Sequence, residues 1–143
     1  GIWTLCLLGL QLMFGAYVAG LNAGYAFNSW PLMGDEFFPS GTPILEPFLA
    51  NLVDNPIIVQ FTHRWLAFVF AAAALGLAWV AAKRGLQTQA AALSSLVTLQ
   101  ILLGIATLLS GVEIWIAVAH QAVAVLLLAA VLAAAHRLGR QGP

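Results

Sequence analysis

The sequence predicts an all-α fold, a transmembrane four-helix bundle of up-down-up-down topology with a long outer loop that contains an interfacial helix. Three observations carry this. Hydrophobic residues make up 62% of the chain and charged residues 7%, a mixture too apolar for the surface of a water-soluble domain. Four apolar runs are each long enough for a helix to cross a hydrocarbon core, which takes about 20 residues. The basic residues outside those runs gather at only two places. A length of 143 residues accommodates one such domain, expected over 1-143.

The first run, residues 1-21, has neither a basic leader nor a polar break after a short apolar core, so it reads as a span and not as a signal peptide. Its Cys6 is the single cysteine, which leaves no intrachain disulfide, no cysteine-pair metal site and no CxxCH haem attachment. The outer loop, residues 22-56, comes next. Connections in compact helical bundles usually run a few residues, and longer ones tend to be functional or disordered. Tyr25, Phe27, Trp30, Phe37, Phe38 and Phe48 argue against disorder, and Ile44, Leu45, Phe48, Leu49, Leu52 and Val53 form a helical stripe. The stripe reads as an interfacial helix over the bundle mouth; an aromatic belt at the headgroups is the alternative. Gly24, Pro31, Gly34, Pro39, Gly41 and Pro43 mark turns ahead of it.

The remaining spans are expected at 57-82, 90-109 and 114-135. Lys83 and Arg84 follow the second, and Arg137 and Arg140 follow the fourth. Basic residues favour the inner side, so both termini belong on the cytoplasmic or matrix side. Asp35, Glu36, Glu46, Asp54 and Glu113 then all fall outside. With a formal net charge of zero, nothing argues for nucleic acid, and the lipid bilayer is the expected partner.

Two histidines stand inside spans. His63 and His120 each lie six residues after the expected helix starts at Ile57 and Ile114, roughly 9 Å along the axis. The second and fourth helices of an up-down-up-down bundle occupy diagonal corners, so two imidazoles at matched depth can approach one metal from opposite sides. Haem iron takes axial histidines and suits an apolar lining. Zinc wants three or four protein ligands, and these spans offer one histidine apiece. Either histidine alone could equally be a hydrogen-bonded packing residue. Arg64, also within a span, needs an anionic partner such as a haem propionate, or else snorkels to the headgroups. His136, beside Arg137, reads as an interfacial residue closing the fourth helix. A faint repeat relates Leu10-Gln11 and Gly15 to Leu99-Gln100 and Gly104. The two mid-membrane glutamines are expected to make interhelical hydrogen bonds, with the small residues permitting close packing.

The chain resembles the haem A synthase family over nearly its whole length. The matching segments are Gly15-Ala16-Tyr17-Val18-Ala19-Gly20-Leu21-Asn22-Ala23-Gly24, Asn28-Ser29-Trp30-Pro31-Leu32-Met33, Val59-Gln60-Phe61-Thr62-His63-Arg64 and Ala119-His120. The resemblance implies oxidation of a methyl of haem O to the formyl of haem A for cytochrome oxidase. It also implies non-covalent haem b as a cofactor that relays electrons. Members with two fused halves carry a substrate haem in the amino-terminal half and haem b in the carboxy-terminal one. Three residues before the loop-side histidine, the catalytic half has a Glu and the haem b half a Gln. This chain has Gln60, which implies the carboxy-terminal half of a larger eight-helix protein, without the catalytic carboxylate.

On that resemblance His63 and His120 are the axial ligands, Arg64 steadies a propionate, and Gln60 and Trp30 belong to the cofactor site. The implied partners are the amino-terminal four-helix half, haem O synthase and an electron donor. The implied setting is a bacterial cell membrane or a mitochondrial inner membrane. Two other readings of the residues stand beside this one: a membrane cytochrome b module that only moves electrons, and a haem-free assembly or scaffold protein whose histidines merely pack.

Overall fold

Long runs of Leu, Ala, Val and Ile leave the backbone one local way to satisfy its polar groups in hydrocarbon, the intrahelical hydrogen bond. The computed structural model describes residues 1–141 and contains α1 (Ile2–Gly20), α2 (Pro56–Lys83), α3 (Gln87–Leu109) and α4 (Ile114–Arg140). All four are long and apolar enough to cross a membrane, and the chain is an integral, multi-pass membrane protein. Residues 142 and 143 of the expected domain lie outside the described residues.

The helices outrun the apolar stretches. Gln87, Thr88 and Gln89 complete the first turn of α3, and α4 continues through His136 and Arg137, so His136 does not end the helix. Polar residues extend a helix readily once it leaves the hydrocarbon; the apolar run measures the crossing and not the element.

The ends are well defined by sequence. Asn55 accepts hydrogen bonds from the backbone of Ile57 and Ile58, with Pro56 in the first helical position, where its missing N–H is no loss. Glu113 caps α4 through Ile116. Gly85 and Gly111 follow α2 and α3 with φ of +77° and +69°. Each places the next N–H on a carbonyl five residues back, Leu86 on Ala81 and Val112 on Thr107, which closes the helix in the Schellman pattern.

Helices adjacent in sequence pack side by side, α4 returns to α1, and α2 and α4 also meet across the diagonal. The contiguous core sits entirely at the Lys83 end. It comprises Leu8 of α1, Phe70 to Ala81 of α2, Ala90, Leu93 and Val97 of α3, and Leu127, Val131 and Ala134 of α4. Towards the loop end, no side chain of α3 beyond Val97 or of α4 before Leu127 is fully buried. One half of the bundle is close-packed, and the half carrying His63 and His120 is not.

The outer loop differs from expectation. Of the apolar stripe only Phe48–Leu52 is helical, as a 3₁₀ turn, and Ile44 and Leu45 lie outside it; a second 3₁₀ turn, Ala23–Tyr25, opens the loop. Pro47 interrupts the stripe, because a proline disfavours helical geometry in the residue before it. The segment is tied down instead by two buried asparagines. Asn51 bonds Leu45 through both backbone groups and also the Phe48 carbonyl, while Asn55 bonds the Pro43 carbonyl and the Asn51 side chain.

Nor does the aromatic part of the loop cover the mouth. It runs along the flank of α2, where Phe61, Trp65 and Phe68 recur at helical spacing. Phe37 lies 4.8 Å from Trp65 between ring centroids, Phe38 lies 5.1 Å from Phe61, and Trp30 stacks 5.8 Å from Phe68 with planes 21° apart. At the loop end itself, Ala23 is fully buried and Gly24 meets the α3–α4 turn. A Cβ on Gly24 would lie 2.8 Å from Val112 Cγ2. Val112 holds a φ of +63° there, strained for a β-branched residue.

Asn51→Ala should therefore loosen residues 43–55 without disturbing the spans. The lost bonds leave Leu45 and Phe48 backbone groups unpaired at a cost of about 1–3 kcal/mol. Hydrogen exchange should rise in that segment alone; unchanged protection there would refute the asparagine lock.

Candidate functional site

A histidine buried among hydrocarbon side chains must share its ring nitrogens with something, and each of these histidines does so with a glutamine on the preceding helix. Gln11 Nε2 lies 3.2 Å from His63 Nδ1 and 3.5 Å from Nε2, and it also donates to the His63 backbone carbonyl at 3.1 Å. Gln100 Nε2 lies 3.4 Å from His120 Nε2. One turn further along, a glycine receives the tip of the ring. A Cβ on Gly15 would stand 3.1 Å from His63 Cε1, and one on Gly104 would stand 3.1 Å from His120 Cε1.

The repeat seen faintly in the sequence is thus a repeat of site geometry. Gln11 and Gly15 lie nine and five residues before the end of α1 at Gly20, and Gln100 and Gly104 lie nine and five before the end of α3 at Leu109. Residues four apart share a helix face, so each glutamine–glycine pair presents one seat for one imidazole. The expected interhelical role of the glutamines holds, with the histidines as their partners. In the sequence the glycines signal only close packing; their spacing of four from each glutamine is the available sign of the seat.

Buried polar atoms in a folded protein are nearly always paired, and exceptions mark places where something else belongs. Among the described residues five buried side-chain atoms have no partner: Gln11 Oε1, Gln60 Oε1, Arg64 Nε, Gln100 Oε1 and His120 Nδ1. All five lie in the loosely packed half. Among the described residues no three His, Cys, Asp or Glu side chains come together. The donor set is two imidazoles from two hairpins, suited to a metal that brings its other ligands with it.

Gln60 and Arg64 sit on the flank of α2 and serve the loop. Gln60 Nε2 donates to the Phe27 carbonyl at 2.9 Å. Arg64 donates through Nη2 to Phe27, 2.9 Å, and through Nη1 to the carbonyls of Ser29 and Leu32 at 3.0 and 3.3 Å. Arg64 is 7% exposed, so it does not snorkel, and loop carbonyls hold its terminal nitrogens. Backbone dipoles take up its terminal donors, and Nε alone is left over. Trp30, expected at the cofactor site, is stacked on Phe68, about 140° around α2 from His63 at 3.6 residues per turn. The aromatic ladder on α2 was missed in the sequence, although its spacing of four and three residues was there to read.

The geometry defines a multi-pass helical membrane protein made of two like hairpins, each supplying one seated histidine. Residues 1–132 match the family described as cytochrome oxidase assembly protein, and the chain belongs to that family. It is 57% identical over 139 residues to the haem A synthase of Rhizorhabdus wittichii, covering 97% of this chain and 40% of that protein. Identity to the haem A synthase of Sphingopyxis alaskensis is 46% over 98% of this chain and 39% of the relative. For that of Rhodospirillum centenum it is 47% over 87% and 34%. The resemblance carried by the motifs is borne out, and the chain spans about two-fifths of the length of these relatives or less. No solved structure matches.

Arg64→Ala should release residues 27–34 from α2, because three carbonyls lose their charged donor. About 2–4 kcal/mol of local stability should go with it. Faster hydrogen exchange or proteolysis confined to that segment is the expected result, and a loop as protected as before would show that the aromatic ladder alone holds it.

Proposed function

We propose that this chain is the carboxy-terminal half of a haem A synthase and binds haem b through His63 and His120. The single observation that carries the reading is the duplicated arrangement of glutamine, glycine and histidine at matched depth. Packing residues have no reason to recur so closely in both hairpins. The fit to a porphyrin rests on three features: glycines where a Cβ would crowd the ring, a poorly filled half-bundle, and a buried imidazole nitrogen without a partner.

Haem b, when bound, supplies one-electron transfer in support of the oxidation of a haem O methyl to the formyl of haem A. The chain's own residues bind and orient. His63 and His120 offer nitrogen lone pairs, and the apolar walls of α1 to α4 exclude water. Arg64 fixes the loop along α2 and keeps Nε as one remaining donor for a propionate. Gln60 is a neutral amide engaged with Phe27, with no carboxylate to accept a proton or stabilise a cation. The reacting haem accordingly belongs to the other half of the enzyme. The distribution of charge supports placing the site towards the outside of the membrane, and the bacterial relatives support a cell membrane.

A reduced-minus-oxidised spectrum tests the reading. Haem b bands should be present in the purified protein and lost in both His63→Ala and His120→Ala; their absence from the parent protein would leave the scaffold reading. Supplying haem O and reductant to this chain alone should yield no haem A, and robust conversion would overturn the assignment to the non-catalytic half.

The glycine seats provide a separate check. Gly15→Ala and Gly104→Ala should lower haem content several-fold, since the new methyl must push the imidazole. Gly76→Ala, which meets nothing within 4 Å, should leave it unchanged and favour the helix by up to about 1 kcal/mol. Equal haem content in all three would remove the seats from the site.

A further inference from the structure

An imidazole has two nitrogens and, when neutral, one proton. If one nitrogen gives its lone pair to iron, the other must carry the proton, and metal-bound histidines almost always donate that N–H to an oxygen. Among the described residues no carboxylate pairs with His63 or His120. What lies beside the rings is amide: Gln11 Nε2 within 3.5 Å of both nitrogens of His63, and Gln100 Nε2 at 3.4 Å from His120 Nε2.

The unpaired atoms complement one another. Gln100 Oε1 is a buried acceptor without a donor, and His120 Nδ1 is a buried ring nitrogen without a partner. Gln11 Oε1 is the equivalent orphan in the first hairpin. As the side chains stand, the amide N–H faces the ring and the amide oxygen is idle. Rotating each amide puts the oxygen where a ring N–H can donate to it and frees the other nitrogen.

From this we propose that Gln11 and Gln100 are positioning residues for the haem ligands. Each amide, turned so that Oε1 faces its imidazole, accepts the ring N–H and holds the ring in place while the other nitrogen is bound to iron. This rests on the haem reading above. Its consequence is electronic as well as steric. An acceptor on the ring N–H gives the histidine more imidazolate character and stabilises the ferric state, so the two glutamines set the potential of the cofactor.

The test uses the full-length protein carrying this chain, purified with its haem, and compares Gln100→Leu with Gln100→Glu, then the same pair at Gln11. Leucine removes the acceptor and glutamate strengthens it. The midpoint potential should rise in the leucine variant and fall in the glutamate variant. Haem affinity should drop about tenfold or more in the former. A structural role alone would move the two variants together, so shifts of the same sign, or none, overturn the proposal. If the leucine variant does not fold, the glutamate variant decides alone, a lowered potential supporting the proposal and an unchanged or raised one refuting it. Loss of haem in His63→Ala and His120→Ala separates the two levels. If those variants keep their haem, the haem reading fails; if they lose it while the glutamine variants keep the parental potential, only the role of the glutamines does.

Discussion

A polar atom inside hydrocarbon has no water to turn to, and that single constraint organises this molecule. It makes the backbone helical, and it directs the glutamines and the arginine buried within the spans. Gln60 and Arg64 reach sideways to carbonyls of the loop, and Gln11 and Gln100 reach across to histidines. The loop in turn has its shape because Arg64 collects the carbonyls of Phe27, Ser29 and Leu32 onto one cation. Where the constraint is not met, at five atoms of Gln11, Gln60, Arg64, Gln100 and His120, the exceptions share one region.

That region is also the poorly packed one. Leu, Val and Ala close the Lys83 end of the bundle, with Val59 the only fully buried aliphatic of α2 before Phe70. The close-packed end gives the helices a fixed relation to one another, so the open end keeps its histidines at a common depth without having to be dense itself. Close packing and the paired histidines thereby fall in different halves of the same four helices.

The spans, their order and the paired histidines were legible in the sequence because hydrocarbon imposes length and composition directly. The helix ends were less so, since Gln87 or Arg137 in a helix carries no apolar signature. The loop is less legible at Pro47, which breaks a stripe whose apolar spacing alone is helical. The surroundings of Arg64 could not be read at all. Its partners are backbone carbonyls, which every residue possesses and no side-chain pattern announces. Gln11 and Gln100 were visible as a repeat, but only the fold shows that each faces a histidine.

The two histidine seats are alike, yet the links between their helices are not. One hairpin closes through the long loop from Leu21 to Asn55, the other through Ser110 to Glu113. The unit of construction is therefore the hairpin and not the bundle. A group held between the two would find an imidazole and an amide on either side and unlike linkers at its edges. A ligand with two like faces but an uneven rim has only one way round in such a site.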